Sequence, residues 1–437
     1  MRPADAVAAG GFFSLLDERL KLGGEGYSPG LLRKIEYAGG NCRSFQTAAE
    51  SLDRLAEFSI SPKHVQRLTE RLGKERAEAR DKGAAAMAQR KLRSNYKQAP
   101  PVAVVFLDAG KAQFRAEGKG PGVHEAHWGD TKVACMQTYT DVTYKQDPQP
   151  EPPAAFVDPT RVERLCREME RVRGAGGDKD CKEATKKAEP KKKEKEAKKK
   201  SKKLGKNRGK RPARLVRTVV ATTAKVEEFG WMVSAEAMGR KFYAAPKRAL
   251  IGDGGNWIDP LGQLHFDGWL QILDFLHLLV HLFAAARMAL VGNAKGAWKL
   301  YEGMLRDAWG GRVQQVMDTL KSQLARMHSD AAAGKDACKV VELALGYVER
   351  NRERMDYPRY RRLGLPVVSA LVESLIKQIN LRVKGSEQFW NDGGLEQVLQ
   401  IRAAYLSQDD RAEKHHDHRP RAPAVGRQCA QAFQAAG

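Results

Sequence analysis

Three carboxylates far apart in the chain carry the chemistry. Asp108 closes the apolar run Val102–Leu107, and Asp253 closes Ala249-Leu-Ile-Gly252 just before Gly254-Gly255. Glu373 lies within Val367–Lys377, a stretch with helical character. A carboxylate at the end of a buried strand is costly unless something positive neutralises it. Two such strand ends and a helical carboxylate are what a divalent-metal phosphoryl-transfer site requires; ordinary turn acids are the plain alternative. Smaller signals surround them. Asp274 and His277 fall one turn apart on an expected helix, so they share a face. Lys377, four residues after Glu373, is placed for a helical ion pair or for a phosphate contact, with Arg382 and Lys384 following. Trp390 suits either a core position or a stacking platform for a displaced base. His415-His-Asp-His418 resembles a metal tract but has no second ligand cluster near it in sequence.

The elements that hold these residues belong to a chain of 437 residues with a formal net charge of +23. That length accommodates two to three domains with a good-sized core. The charge points to a polyanionic partner. Membrane surface is the rival explanation, and two features argue against it. Met1–Gly10 has no positive start followed by an apolar core. The apolar stretch Leu270–Val291 is broken by Asp274, His277, His281 and Arg287, and a central Asp or Arg costs roughly 3 kcal/mol of insertion. The expected location is therefore the cytoplasm, in association with the nucleoid. The six cysteines (Cys42, Cys135, Cys166, Cys181, Cys338 and Cys429) form no C-x-x-C pair, which fits a reducing compartment.

Composition and periodicity divide the chain into seven stretches. Residues 1–98 read as a helical region. In it Phe45, Ala48, Leu52 and Leu55 line one helix face, and Ser61-Pro62 opens a second helix to Leu72. Helix, short turn and basic helix is the layout of a helix-turn-helix, with Lys63, His64, Gln66 and Arg67 as the candidate DNA-reading residues. Lys74–Lys97 reads as a separate connecting helix. Residues 99–147 read as three strands, Val102–Leu107, Lys111–Arg115 and Lys132–Thr140, the first two forming an antiparallel hairpin. Residues 148–213 are rich in proline and then lysine and are expected to be mostly disordered, with a short helix from Pro159 opened by Asp158. Residues 214–268 carry a helix at Val226–Phe242 and the strand ending at Asp253. Residues 269–362 read as an uninterrupted helical insertion, and residues 363–407 as two helices, one bearing Glu373 and one over Leu395–Leu406. The tail, 408–437, is polar and expected to be loose.

Antiparallel strands, a helix, a parallel strand and further helices is the order of a ribonuclease-H-like α/β fold. In that fold an Asp on the first strand and an Asp after the fourth converge at one sheet edge, and a helical carboxylate completes the site. Within this frame five segments follow one another: Gly252-Asp-Gly-Gly-Asn-Trp-Ile258, Ile272-Leu-Asp-Phe-Leu-His277, Arg354-Met-Asp-Tyr-Pro-Arg-Tyr360, Val372-Glu-Ser-Leu-Ile-Lys377 and Leu399-Gln-Ile-Arg402. The series resembles the DDE transposases of bacterial insertion sequences, in particular the ISKra-type group, over roughly residues 45–424.

That resemblance implies a transposase that binds terminal inverted repeats and target DNA as a homo-oligomer. It implies two Mg²⁺ or Mn²⁺ ions on Asp108, Asp253 and Glu373. It also makes Asp274 and His277 the counterpart of an acidic-x-x-His signature shared with hAT and Mutator-like transposases, where the pair positions the DNA strand. Two departures stand out. Ala109 replaces the glycine usual after the first Asp, and Val368-Ser369-Ala370 replaces Gly-Ser-Gly. These keep open a catalytically silent DNA-binding relative, alongside a ribonuclease-H-like structure-specific nuclease.

Overall fold

The computed structural model describes residues 27–115, 127–172, 211–330, 334–385 and 388–417. It divides into two units, one drawn from Met1–Ala79 and Leu381–Gly437 and the other from Arg80–Asn380. In the first unit, local sequence sets the helix ends. Ser28 accepts from Leu31 N to cap α1 (Pro29–Asn41), and Ser44 accepts from Thr47 N to cap α2 (Phe45–Ala56). Glu57, left-handed at φ 51°, stops α2. Ser61 then accepts from His64 N at the start of α3 (Pro62–Ala88). Leu32, Ile35, Ala48, Leu52, Val65 and Leu68 form the shared core of the three. Two C-terminal helices, α13 (Asp392–Leu406) and α14 (Arg411–Asp417), complete this unit.

The second unit is an α/β assembly around one mixed sheet. Six consecutive apolar residues suit a strand buried on both faces, and β1 (Val102–Phe114) is the central strand. It pairs antiparallel with β2 (His127–Tyr139), which pairs antiparallel with β3 (Arg214–Thr222). On its other side it pairs parallel with β4 (Lys247–Gly252), and β4 pairs parallel with β5 (Leu270–Leu273). The order is β3-β2-β1-β4-β5. Helix α4 (Pro159–Val172) begins where Asp158 accepts from Arg161 N. Ala103, Val105 and Leu107 of β1 and Leu250 of β4 pack with Phe229, Met232 and Val233 of α5 (Val226–Gly239) and Leu261 of α6 (Ile258–His265). After β5 come α7 (Phe275–Ala289), α8 (Ala294–Trp309), α9 (Val313–Ser329), α10 (Lys335–Asn351) and α11 (Tyr357–Arg362). Helix α12 (Ala370–Val383) carries Glu373.

Several expectations need correction. Val102–Leu107 and Lys111–Arg115 are not a hairpin: β1 runs unbroken to Phe114, and Gly110 pairs with Thr131 of β2 in register. Beyond Asp108 the strand alternates buried and half-buried residues, so it simply passes from a doubly covered to a singly covered position. Pro62–Leu72 and the connecting helix are one element, because nothing between Lys63 and Ala88 breaks the helix. Residues 269–362 are not wholly helical: Leu270–Leu273 forms β5, too short an apolar run for periodicity to separate from buried helix. Among the described residues no helix is long and apolar enough to cross a membrane. The expected loose tail includes α14, while the lysine run and residues 418–437 lie outside the described residues. Helix α13, expected beside α12 in one domain, falls in the unit of α1–α3.

Helix α14 is ordered around a buried carboxylate. Glu36 of α1 accepts from Arg76 Nε at 2.7 Å, from His416 Nε2 at 2.8 Å and from Tyr405 Oη at 3.3 Å. Burial alone raises the pKa of a carboxyl, but the hydrogen bonds from His416 and Arg76 and their charges outweigh it, holding Glu36 at about 2 instead of its ordinary 4.5. A folded-state pKa below the unfolded one stabilises above pH 4.5, and that contribution is lost as pH falls towards 2. The gap is worth about 3 kcal/mol. Urea unfolding followed between pH 6 and pH 3 should therefore show a steep loss of stability on the acid side. In Glu36→Gln the stability at pH 6 should be lower and this acid dependence largely gone; an unchanged acid slope would mean that Glu36 is not the group responsible.

Candidate metal centre

Parallel register puts the acids side by side. Leu107 pairs with Gly252 and Gly252 with Leu273, so Asp108, Asp253 and Asp274 follow at one level on neighbouring strands. Successive side chains alternate across a sheet. Ala103, Val105 and Leu107 face α5 and α6, so Asp108 shares the opposite face with Val104 and Phe106. Helix α12 covers that face: a Cβ on Gly110 would lie 3.9 Å from Ile376.

Each acid is held differently. Asp108 is 9 % exposed, and its Oδ1 accepts from Ala109 N at 2.7 Å. Asp253 is half-buried, and its Oδ1 accepts from Gly255 N at 3.0 Å. Gly254 turns the chain away at φ +76°, where a side chain would also crowd Leu273, Tyr347 and Asn351. Tyr347 of α10 donates its hydroxyl to the Asp253 carbonyl at 2.7 Å. Asp274, 1 % exposed, is the most heavily engaged. Its Oδ1 accepts from Ser369 N at 2.7 Å, and its Oδ2 accepts from Ser369 Oγ at 2.7 Å and His277 Nδ1 at 2.6 Å. Its own N–H donates to Gly252 O at 2.8 Å.

Asp108, Asp253 and His277 each offer one ligand atom, and these atoms lie within 4.8 Å of one another. The three residues line a cavity of about 230 Å³ together with Glu373, Lys377, Glu168, Lys111 and Asp130. Glu373 stands in the first turn of α12, where its N–H donates to Ser369 O at 3.0 Å. Its Oε1 is buried without a hydrogen-bond partner. The electrostatics match a cavity built for positive charge. Burial first, and then the charges of Asp253 and Asp274, push the Asp108 carboxyl up to about 7 although His277 opposes the rise. Burial and the charge of Asp274 likewise raise Glu373. Burial alone would lower His277, but its hydrogen bond to Asp274 and the charges of Asp274, Asp108 and Asp253 hold it at about 9. An imidazolium thus partly offsets the carboxylates, while the unpartnered Glu373 oxygen is left for a cation to satisfy.

The expected triad is therefore brought to one cavity, but the tight cluster is Asp108, Asp253 and His277, with Glu373 outside it. Asp274 does not share a helix with His277. It follows β5 directly and precedes α7. Its signal was in the sequence: Leu270-Gln-Ile-Leu273 ends in an acid just as the runs before Asp108 and Asp253 do. Tyr347 and Glu168 had no signal beyond residue type, whereas Ser369 stood in the sequence as the serine kept within Val368-Ser369-Ala370. None of Ala109, Val368 and Ala370 is among the described non-glycine residues with positive φ, so backbone conformation gives no reason for glycine there.

The expected nucleic-acid contacts separate into surface and core. Lys63 and Arg67 are exposed on α3, while Gln66 donates to Glu70 and His64 contacts the Tyr27 hydroxyl at 3.2 Å. Lys377, placed by its sequence for an ion pair or a phosphate contact, donates to Glu168 Oε2 at 2.6 Å. Lys384 is half-buried beyond the end of α12. Arg382 is corrected to a core residue, and Trp390 takes the core alternative of its two readings. Arg382 is 2 % exposed, donates to Gly39 O at 2.9 Å and lies between the Phe45 and Trp390 rings. Trp390 Nε1 donates to Val383 O at 2.8 Å, so neither side chain is presented to a ligand. In the histidine tract, His415 and His416 pair with Glu75 and Glu36, and His418 lies outside the described residues. No protein-family model and no curated protein matches the chain.

Asp274 links β5, α7 and the segment leading into α12, so its partners should matter to stability. Ser369→Ala removes a hydroxyl that donates to a buried carboxylate, and urea unfolding should report a loss of about 2 kcal/mol. A loss below about 0.5 kcal/mol would mean that Asp274 does not depend on that hydroxyl.

Proposed function

We propose that this chain is a DDE-type DNA transposase, with a ribonuclease-H-like catalytic unit that cuts and joins DNA at the terminal inverted repeats of an insertion sequence. The observation that carries the reading is one cavity lined by Asp108, Asp253 and Glu373 at the edge of a sheet ordered β3-β2-β1-β4-β5. Three antiparallel strands followed by two parallel ones, with a helical carboxylate alongside, suit that fold. The five motifs quoted above give the family its support. The formal net charge of +23 suits a polyanionic substrate. Helices α2 and α3, with Lys63 and Arg67 exposed, offer a basic helical pair for repeat binding.

The donor set fits hard divalent cations: Asp108, Asp253 and Glu373 would hold two Mg²⁺ or Mn²⁺ ions, with His277 at the same place. Such ions, when bound, lower the pKa of an attacking hydroxyl and neutralise charge on the leaving oxygen. The protein's own task is placement. Asp108 and Asp253, fixed at matching positions on paired strands, define where the scissile phosphate is held. Lys111 lines the cavity, and Lys377 adds positive charge for the flanking backbone when a phosphate displaces it from Glu168. Water serves as the first nucleophile and the freed 3′-hydroxyl as the second at the same carboxylates.

The test looks first for inverted repeats flanking the coding region, and then runs a nicking and strand-transfer assay on labelled DNA carrying them, with Mg²⁺ or Mn²⁺. Wild type should cleave. Asp108→Ala and Glu373→Gln should lose at least about a hundredfold in rate, several kcal/mol of transition-state stabilisation, while still shifting the same DNA in a binding assay. Glu373→Gln cleaving at the wild-type rate would exclude Glu373 from the site. Binding without cleavage by wild type would identify a silent DNA-binding relative.

A further inference from the structure

We infer that His277 is a direct nitrogen ligand of the first cation, which makes the centre an Asp-Asp-His site that takes first-row divalent ions in preference to Mg²⁺. The inference rests on reading the cavity as a divalent-metal site, and not on DNA being its substrate.

The argument starts from what fixes the ring. His277 is 6 % exposed, and its Nδ1 is committed to Asp274 Oδ2 at 2.6 Å. The other oxygen of Asp274 is held by Ser369 N, and Oδ2 also takes the Ser369 hydroxyl, so the carboxylate has no freedom to turn. Nε2 is therefore the ring nitrogen left for the cavity. A histidine that lines a cavity of acids, with its Nδ1–H fixed by a carboxylate and Nε2 left over, has the arrangement of a metal-ligating imidazole with its orienting partner. The distances agree. Donor atoms bound to one cation at about 2.1 Å lie up to ~4.2 Å apart. Only one pair of three can be that far apart, and the others close to roughly 3 Å. The Asp108, Asp253 and His277 atoms, which lie within 4.8 Å of one another, therefore need shifts on the order of an ångström, within reach of side-chain rotation. A cation taking this position displaces the Nε2 proton to solvent.

The alternative is that His277 only donates a hydrogen bond to the acids, with carboxylates as the sole protein ligands. The two differ in the element bound to the metal. Oxygen-only sites suit Mg²⁺, whereas an imidazole ligand favours the later first-row ions and penalises Mg²⁺. The same geometry leaves Glu373 Oε1, buried and unpartnered, outside the three-residue set. Its absence should then matter less to the first cation than that of His277.

The experiment is Mn²⁺ titration of the full chain without DNA, followed by electron paramagnetic resonance. Pulsed measurement of the bound ion then tests for a directly coordinated ¹⁴N nucleus. Wild type should show that coupling, and displacement of Mn²⁺ should need a large excess of Mg²⁺ but far less Zn²⁺. His277→Gln should lose the coupling and bind Mn²⁺ at least tenfold more weakly, whereas Glu373→Gln should keep the coupling. Because His277→Gln alters a buried position, the wild-type spectrum decides independently of that variant's folding. Bound Mn²⁺ without ¹⁴N coupling, or displacement by equal Mg²⁺, would overturn the ligand assignment and leave the transposase reading standing. Bound Mn²⁺ with coupling in a protein that never nicks DNA would do the reverse. Failure of wild type to bind Mn²⁺ would overturn the ligand assignment and the metal-site reading together.

Discussion

The carboxylate of Asp274 is the constraint on which the centre depends. It sits almost fully buried, where an unpaired charge would be prohibitive, and three donors converge on its two oxygens. Through them one side chain joins the end of β5, the first turn of α7 and the segment that starts α12. Its backbone adds a fourth tie, to the carbonyl of Gly252 beside Asp253. The positions of Asp253, His277 and Glu373 are thereby referred to a single point. The backbone of the parallel strands is secured separately, by tyrosines from the helical part. Tyr347 donates to the Asp253 carbonyl, Tyr357 to that of Leu273 and Tyr360 to that of Gln271. Carbonyls of β5, the last strand in the sheet, and of the residue after β4 thus find partners, and the long helical segment is tied to the strands it follows.

How much of this was legible depended on the kind of signal. Asp108 and Asp253 could be read because an acid ending an apolar run is an anomaly of composition, visible without knowing the partner strand. Glu373 could be read because its helix is long enough for periodicity. Strand β5 could not, since four residues carry no period, and with it went the true setting of Asp274. The missing inference was available by analogy among the three runs, but only register shows that their ends are level. Strand β1 was divided at Gly110 because glycine reads as a turn. In the sheet that glycine is simply where the strand passes close to Thr131.

Arg382 and Trp390 illustrate the opposite failure. Both residue types are common at nucleic-acid surfaces; Arg382 lies in the last turn of the helix that carries Glu373, and Trp390 follows that helix. Here the guanidinium is packed between two rings and bonded to a helix carbonyl, and burial brings its pKa down to about 10. Residue type and position along the chain do not distinguish an arginine offered to phosphate from one that holds helices together; only exposure does. The same applies to the histidine tract, where Glu36 and Glu75 take the ring nitrogens that spacing had suggested for metal.

The cavity has walls of unequal stiffness. One side is the β1–β2 ladder, which continues six residues past Asp108 to Phe114. At about 3.4 Å per residue this is roughly 20 Å of paired backbone, with Lys111 and Asp130 directly opposite each other. The facing side is made by α4 and α12, joined across the opening by Lys377 and Glu168, an ion pair with both side chains well exposed. Parting the strands means breaking a row of backbone hydrogen bonds; parting the helices at that point means releasing one pair worth about 1 kcal/mol or less. Any change in the width of the cavity is therefore taken up on the helical side. The sheet, with the start of α12 tied to it through Ser369 and Asp274, acts as a fixed jaw that keeps two carboxylates in register, and α4 belongs to the jaw that gives.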